Sequence, residues 1–188
     1  MKLSLFLSCH VYLDRDKAAL LTDNSWLRFA TKLAEHSEEL RINSPYLHSI
    51  ENITVLPLAS NVFHQCFVQH DSFAGFYVNL LRSPIGSIKR LIQAINNCDL
   101  VLYRIPTPGF SLVALVTLLL NKPLCVFISG DIILQADAIR SSNLFIRTTA
   151  LAIASLRLHI YKFFCTFSSY SYVVSSALAS KYCLQSNK

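Results

Sequence analysis

The sequence predicts an α/β fold in which helices cover both faces of a parallel sheet. The main observation is a strand–helix–strand unit in the middle of the chain. Leu100–Ile105 is a short β-rich run, residues 110–120 form an apolar block too long for a typical buried strand, and Leu124–Ile128 is a second β-rich run. Two strands joined through a helix lie parallel, because antiparallel neighbours need only a short turn. The unit therefore predicts a parallel sheet that is covered on its faces.

The second observation is that strand and helix patterns alternate along the rest of the chain. Strands are expected at residues 3–13, 39–43, 53–58 and 172–175, and helices at residues 25–36, 76–81, 87–96, 139–166 and from 176 onward. Residues 14–24 are expected to form a polar loop, and residues 61–75 have no clean period. This alternation predicts a Rossmann-like doubly wound sheet of five or six strands, in a single domain over residues 1–188.

Two of the helices have a periodicity that predicts their buried face. In the helix at residues 87–96, the expected buried stripe is Ile88, Leu91, Ile92 and Ile95. The helix at residues 139–166 has one broad apolar face with Phe145, Ile146, Ile153, Leu156, Ile160, Phe163 and Phe164, and an opposite side with Arg140, Arg147, Leu151, Leu158 and Lys162. The mixed opposite side is compatible with packing on two sides or with contact to a membrane surface.

Composition excludes some classes of protein and leaves others open. Of the 188 residues, 53% are hydrophobic and 15% are charged, which suits one domain with a sizeable core. The net charge of +6 is spread without a block of Lys or Arg, so we expect no nucleic-acid partner. Attraction to an anionic membrane surface or to phosphorylated substrates stays open.

The most apolar segment, residues 110–128, approaches the length of a membrane span. Asn121, Lys122 and Pro123 interrupt it, and a proline and a charge are both unfavourable near the centre of a bilayer. A buried helix followed by a strand accounts for all three residues. The apolar run at residues 3–8 is shorter than a normal signal sequence, so we expect the first core strand there.

Cysteine and histidine spacing points to neither a metal site nor a disulfide framework. No two of the six cysteines are spaced as C-x-x-C, which favours buried, reduced thiols in a cytosolic protein. The six histidines show no ligand spacing, although a metal near His64, His70 and Asp71 stays open as the less favoured alternative. With four glycines and no glycine-rich phosphate motif, the sequence leads us to expect no cofactor.

Polar candidates follow two strands of the predicted sheet, where ligands gather in doubly wound folds. Ser129, Gly130 and Asp131 end the second strand of the central unit, and Asp131 could orient a sugar hydroxyl, accept a proton, or cap the next helix. Arg104 ends the first strand and could clamp a phosphate or a carboxylate, or lie at the surface beside a rigid turn. Ser175 lies at a strand-to-helix turn, where capping the helix is its simplest role.

Three segments together resemble the N-terminal half of a GT-B glycosyltransferase, of the large retaining group that builds bacterial surface polysaccharides. They are residues 99–106 (DLVLYRIP), 122–131 (KPLCVFISGD) and 173–182 (VVSSALASKY), and residues 23–33 are similar to the opening of the first family helix. The resemblance implies two Rossmann-like domains with an active site in the cleft between them. Asp131 would face this cleft as the catalytic candidate, with Arg104, Ser129, Gly130 and Ser175 as substrate-binding residues.

The sequence also departs from that family's pattern. Many members have a glycine-rich loop after the first strand, and many have a histidine before the aspartate. Here residues 9–24 contain no glycine, and Gly130 precedes Asp131. The family's donor-binding domain carries two glutamates eight residues apart, and none of the four glutamates here forms that pair.

These departures predict an acceptor-side domain whose nucleotide-sugar domain is absent, either a truncated product or one part of a split enzyme. Its partners would be a glycan or lipid-linked acceptor, a partner chain carrying the second domain, and a nucleotide-sugar donor only when that domain is present. By itself the chain should transfer little sugar, because the leaving diphosphate lacks stabilising charges. We expect a cytoplasmic location, with peripheral contact to the inner face of the plasma membrane as an extension. A non-catalytic partner-binding module and a small membrane-associated protein are the alternatives.

Overall fold

The computed structural model describes residues 1–7, 9–14, 19–22, 27–46, 54–57, 59–137, 144–173 and 176–182. The strands are β1 (Lys2–Phe6), β2 (Val11–Asp14), β3 (Ala19–Thr22), β4 (Glu39–Asn43), β5 (Thr54–Pro57), β6 (Val62–Gln65), β7 (Leu100–Ile105), β8 (Leu124–Ile128) and β9 (Tyr170–Val173). The helices are α1 (Arg28–Glu35), α2 (Phe73–Arg82), α3 (Pro84–Asn96), α4 (Phe110–Leu119), α5 (Ile132–Asp137), α6 (Leu144–Thr166) and α7 (Ser176–Lys181).

Six strands form one parallel sheet in the spatial order β6-β4-β1-β7-β8-β9. Counted along the chain, this is the order 3-2-1-4-5-6 of a doubly wound Rossmann-like sheet. The strand pair on which the prediction depended is parallel, with Val101 opposite Leu124 and Ile105 opposite Ile128. The predicted fold class is therefore confirmed. The winding direction reverses between β1 and β7, which makes their carboxyl ends the topological switch point.

Both faces of the large sheet are buried, as expected for parallel strands. In β7, Val101, Tyr103 and Ile105 belong to one core, which the helices α2 to α6 cover. Leu100 and Leu102 pack against the second core, which α1 and a small antiparallel sheet cover. The small sheet has the order β2-β3-β5.

The first third of the chain differs from the sequence prediction. The strand expected at residues 3–13 is interrupted after β1, because β4 ends at Asn43 and the Leu7 N–H makes the last contact with it, at 3.0 Å. The expected loop at residues 14–24 contains β3, and the strand expected at residues 53–58 becomes β5 of the small sheet. The aperiodic segment at residues 61–75 contains the edge strand β6. An edge strand and a small sheet have fewer neighbours and therefore show weaker patterns.

α3, α6 and α7 overlap the helices predicted at residues 87–96, 139–166 and from 176 onward, and residues 139–143 of the second lie outside the described residues. α2 begins three residues before its predicted start, within the segment without a clean period, and α5 is a short helix that the periodicity does not predict. The apolar segment at residues 110–128 folds as α4 followed by β8, as predicted. Asn121 ends α4 in a left-handed conformation, with φ of 51°, and the Lys122 ammonium donates to the Cys98 carbonyl at 2.8 Å. Among the described residues, no helix combines the length and the hydropathy that crossing a bilayer requires.

The buried faces of α3 and α6 differ from the predicted ones. In α3 the buried residues are Ser87, Leu91, Ala94 and Ile95, whereas Ile88 and Ile92 are 38% and 40% exposed. In α6 they are Ala154, Leu158, Tyr161 and Cys165, whereas Ile153, Leu156 and Phe163 are exposed. In each case the buried face includes a small residue, Ala94 in α3 and Ala154 in α6, and part of the expected apolar stripe lies outside.

Gly109 is the position where a side chain should disturb the fold most. It precedes α4 with φ of +86°, and an added Cβ would lie 2.4 Å from the Phe76 ring. We expect Gly109→Ala to lower the free energy of unfolding by about 2 kcal/mol or more. Gly86→Ala is the matched control, because its Cβ would meet only the exposed Ser83 hydroxyl and the Arg90 side chain. Urea unfolding should place that control within about 1 kcal/mol of the wild type, and equal effects of the two changes would contradict the prediction.

Candidate functional site

The switch point between β1 and β7 carries an open pocket. Its volume is about 230 Å³, and it is lined by His10, His70, Asp71, Ser72, Phe73, Pro106 and Pro108. These residues come from the loops after β1 and β7, from the loop that leads into α2 and, in Phe73, from the first position of α2. The reversal of the winding sends the chain to opposite faces after β1 and after β7, so the crevice between them stays open.

His10 and Asp71 form an imidazole–carboxylate pair in this pocket. The His10 Nε2 atom lies 3.2 Å from Asp71 Oδ1 and 3.2 Å from the His70 carbonyl oxygen. A proton on Nε2 would be donated to these two acceptors. The His10 ring is mostly buried, whereas the Asp71 side chain is 78% exposed and open to a ligand from solvent. Such a pair can bind hydroxyl groups and exchange protons with them.

His70 presents the opposite hydrogen-bonding character. Its Nδ1 atom lies 2.9 Å from the Val68 carbonyl oxygen, so Nδ1 carries the proton and donates it. Burial lowers the pKa of His70 below its ordinary value, with a smaller opposing effect of that hydrogen bond. His70 is therefore neutral near pH 7, and its Nε2 atom is a hydrogen-bond acceptor.

A small cavity lies beside the open pocket, and His70 and Pro108 line both. The cavity has a volume of about 10 Å³, which is room for one water molecule. Asn43 Oδ1, His70 Nε2 and Thr107 Oγ1 belong to residues that line it, and these atoms are buried with no hydrogen-bond partner among the described residues. Because buried polar atoms are normally paired, we expect a water molecule or a polar ligand atom to bind there.

Hydrogen bonds from aromatic side chains hold the loop after β7 in place. The Tyr103 hydroxyl donates to the Pro108 carbonyl at 2.7 Å, and the Tyr161 hydroxyl donates to the Thr107 carbonyl at 3.2 Å. Burial raises the pKa of both tyrosines, so both hydroxyls keep their protons. The Arg157 guanidinium donates to the Tyr161 hydroxyl and lies 3.6 Å from the centre of the Phe73 ring. A fixed positive charge therefore lies behind one wall of the pocket.

Asp131 lies at the carboxyl end of β8, one strand beyond the switch point. Its Oδ1 atom accepts from the N–H groups of Ile133 and Leu134, so the carboxylate caps α5, as one interpretation of the sequence predicts. Its Oδ2 atom accepts from the Lys181 ammonium. Partial burial raises the pKa of Asp131, but the hydrogen bonds from Lys181 and the two N–H groups outweigh it and lower the pKa below its ordinary value. Its proposed catalytic role stays a prediction.

The structure brings Arg104 and Ser129 together. The Arg104 Nε atom donates to the Ser129 hydroxyl at 2.9 Å, and that hydroxyl donates to the Ile105 carbonyl at 3.1 Å. Burial lowers the pKa of Arg104, which is nevertheless a cation because guanidinium groups hold their proton in proteins. Gly130 follows Ser129 at the same edge, half-buried. Ser175 lies outside the described residues.

Arg104, Ser129, Gly130 and Asp131 lie at the same edge of the sheet as the pocket, but none of them lines it. His10 and Thr107 were missed as site residues, and His70 and Asp71 were considered only for a metal. The signal for them was present, since His10 follows the first strand and Thr107 follows β7. Recognising it requires the order of the strands, which places these two ends side by side.

The described residues contain no cluster of three or more His, Cys, Asp or Glu side chains that could hold a metal ion. The structure shows no disulfide bond among the cysteines that it describes. Burial raises the pKa of Cys66 and of Cys98 to about 11 and that of Cys165 to about 12. These three thiols therefore stay protonated at neutral pH and are poor nucleophiles.

No protein-family model matches the chain, and no curated protein matches it either. Its function is therefore argued from the fold and from the chemistry of the site.

The capping role of Asp131 predicts a specific pattern of stability. Asp131→Ala removes both the cap of α5 and the partner of Lys181, so we expect the free energy of unfolding to fall by about 1–2 kcal/mol. Asp131→Asn keeps an oxygen that can cap the helix and should lose less than half as much. Urea unfolding at pH 7 measures both changes. Equal losses in the two variants would show that the cap contributes little.

The buried histidines predict a loss of stability in mild acid. Burial lowers the pKa of His64 and of His70 below 6.5, so below that pH the unfolded chain binds protons that the folded chain does not. The free energy of unfolding should then fall as the pH decreases, by up to about 1.4 kcal/mol per pH unit for each histidine. Urea unfolding at several pH values between about 7.5 and 5.5 measures this slope.

His70→Gln should make that slope clearly shallower. His36→Gln is the matched control, because the His36 side chain is exposed at the end of α1. This substitution should leave the slope unchanged. A slope that does not differ between the two variants would rule out His70 as a source of the acid sensitivity.

Proposed function

We propose that this chain forms the acceptor-binding side of a glycosyltransferase, which moves a sugar from a nucleotide-sugar donor to a glycan or lipid-linked acceptor. The observation that carries the proposal is the polar pocket at the switch point of a 3-2-1-4-5-6 parallel sheet. Doubly wound folds bind their ligands at this place. The acceptor hydroxyl would lie beside His10 and Asp71.

The chemistry of the pocket suits a sugar. Sugar hydroxyls both donate and accept hydrogen bonds, and the pocket offers the Asp71 carboxylate and the His10 imidazole as partners. Phe73, Pro106 and Pro108 supply apolar surface for the C–H face of a sugar ring. An imidazole next to a carboxylate can also accept the proton that an acceptor hydroxyl releases on attack.

The resemblance to the GT-B family supports the same assignment. Its three segments correspond in order to β7, to β8 with the residues that follow it, and to the end of β9 with α7. The strands of these segments lie next to the pocket (β7) or one or two strands further along (β8 and β9). Arg104, Ser129, Gly130 and Asp131 would then lie toward the donor side of the cleft, with Arg104 as a partner for phosphate oxygens.

Ligand binding tests this proposal without a requirement for turnover. Methyl α-glycosides of glucose, galactose and mannose serve as probes in saturation-transfer NMR with the 188-residue chain. We expect at least one glycoside to bind, and His10→Ala or Asp71→Asn to weaken binding by about tenfold or more, because each removes a charged or polar hydrogen-bond partner. The matched controls lie at the end of α1, away from the pocket. His36→Ala removes a histidine, as His10→Ala does, and Glu35→Gln removes a negative charge, as Asp71→Asn does, and both should leave binding unchanged.

Three outcomes would contradict the proposal. Equal binding by the wild type and the pocket variants would show that sugars bind elsewhere. No binding of any glycoside, together with a stable folded chain, would favour the non-catalytic partner-binding module instead. Clear turnover of UDP-glucose by the 188 residues would contradict the assignment to the acceptor side only.

A further inference from the structure

The helices that cover one face of the large sheet have an unusual charge composition. α2, α3, α4, α5 and α6 together contain six Arg or Lys residues and one acidic residue, Asp137 at the end of α5, although the whole chain has 11 acidic residues. The nearest acidic residues in sequence to α2 and α3, Asp71 and Asp99, lie in loops at the two opposite ends of the strands. Although Lys and Arg are spread along the sequence, most of the net charge of +6 therefore comes from the helices of this layer.

The same layer exposes large apolar side chains. α3 packs against α4, and α4 packs against α6. The buried residues of these helices, such as Leu91, Val113 and Leu158, all belong to the core on one side of the sheet. Residues on the opposite sides of the helices therefore point away from the sheet together. On α3 these include Ile85, which is 84% exposed, and on α4 Leu119, which is 75% exposed.

A shallow apolar groove lies on the outer side of α3. It has a volume of about 450 Å³ and is lined by Ile85, Ile88, Lys89, Ile92 and Gln93. Leu115 and Leu119 follow one another by one helical turn on the neighbouring α4 and are both exposed. We define the α3–α4 surface as Ile85, Ile88, Lys89, Ile92, Leu115 and Leu119. Exposed apolar patches of this kind mark contact surfaces rather than ordinary solvated faces.

We propose that the α3–α4 surface binds the protein to membranes that contain anionic lipids. The apolar side chains would enter the interface between headgroups and acyl chains, and Lys89, together with Arg82 at the end of α2, would lie at the level of the lipid phosphates. Charge complementarity favours this occupant, because α2, α3 and α4 carry the cations Arg82, Lys89 and Arg90 and no carboxylate, and cations near an anionic bilayer are attracted to it. The surface is separate from the pocket, so it stands independently of the glycosyltransferase proposal.

Flotation with lipid vesicles tests this inference on the full chain. We expect the wild type to bind vesicles of phosphatidylcholine with about 30% phosphatidylglycerol and to bind pure phosphatidylcholine at least about fivefold more weakly. Binding should decrease strongly as NaCl rises from about 50 to about 500 mM, because salt screens the attraction. Lys89→Gln should weaken binding by about fivefold, and Ile85→Ser with Leu119→Ser by about tenfold or more.

Matched controls lie on the other side of the sheet. Lys32→Gln on α1 removes an exposed positive charge, and Val55→Ser on β5 removes an exposed apolar side chain, and neither should change vesicle binding. Circular dichroism verifies that each variant folds. If the serine variant does not fold, the lipid and salt dependence of the wild type still decides the question.

Three results would overturn the inference. The first is no binding of the wild type to anionic vesicles, and the second is equal binding to neutral and anionic vesicles. The third is a dimer of the wild type in light scattering that the double substitution Ile85→Ser and Leu119→Ser converts to a monomer, because the surface would then bind a second copy of the chain.

Discussion

The parallel pairing of β1 with a neighbour on each side is the constraint on which the rest of the structure depends. Leu5 lies opposite Ile42 of β4 and opposite Leu102 of β7, and all three residues are apolar. Because the chain moves away from β1 in one direction through β4 and in the other through β7, the loops after β1 and β7 leave on opposite faces. The crevice between them is open for this reason alone, whatever side chains line it. The sequence then supplies polar side chains at that place, with His10 after β1 and Thr107 after β7.

Two groups of polar residues at the same edge of the sheet differ in how far their hydrogen bonds are satisfied. Asp131 accepts from two backbone N–H groups and from Lys181, which are contacts that stabilise the fold. Asn43, His70 and Thr107 each keep one buried polar atom without a partner in the described part of the chain. An unpaired buried polar atom costs about 1–3 kcal/mol, so it lasts in a fold mainly where water or a ligand completes it. The cavity that these three residues line is therefore a place where we expect a bound water molecule or a polar ligand atom.

The helical layer shows how close packing can leave apolar residues outside. The buried faces of α3 and α6 include small residues, Ser87 and Ala94 in α3 and Ala154 in α6. These helices pack mainly on neighbouring helices, α3 on α4 and α6 on α4 and α5. Ile88 and Ile92 of α3 remain partly exposed and join Ile85 on the outer surface. The same packing that closes the core therefore creates an apolar outer face, next to cations that no carboxylate of these helices neutralises.

The sequence by itself determined the fold class, the helices α3, α4, α6 and α7 and the parallel pair β7 and β8, because these elements have local periodicity, apolar blocks or β-rich runs. It also determined that polar residues gather at the carboxyl edge of the sheet and that Asp131 can cap α5. Only the tertiary structure decided the order of the strands, the existence of β3 and β6, and the outward rotation of Ile88 and Ile92. The physical reason is that strand order and helix rotation depend on contacts between residues far apart in the chain, such as Leu5 with Leu102. His10 and Asp71 meet through such contacts, and no pattern within either segment shows that they will.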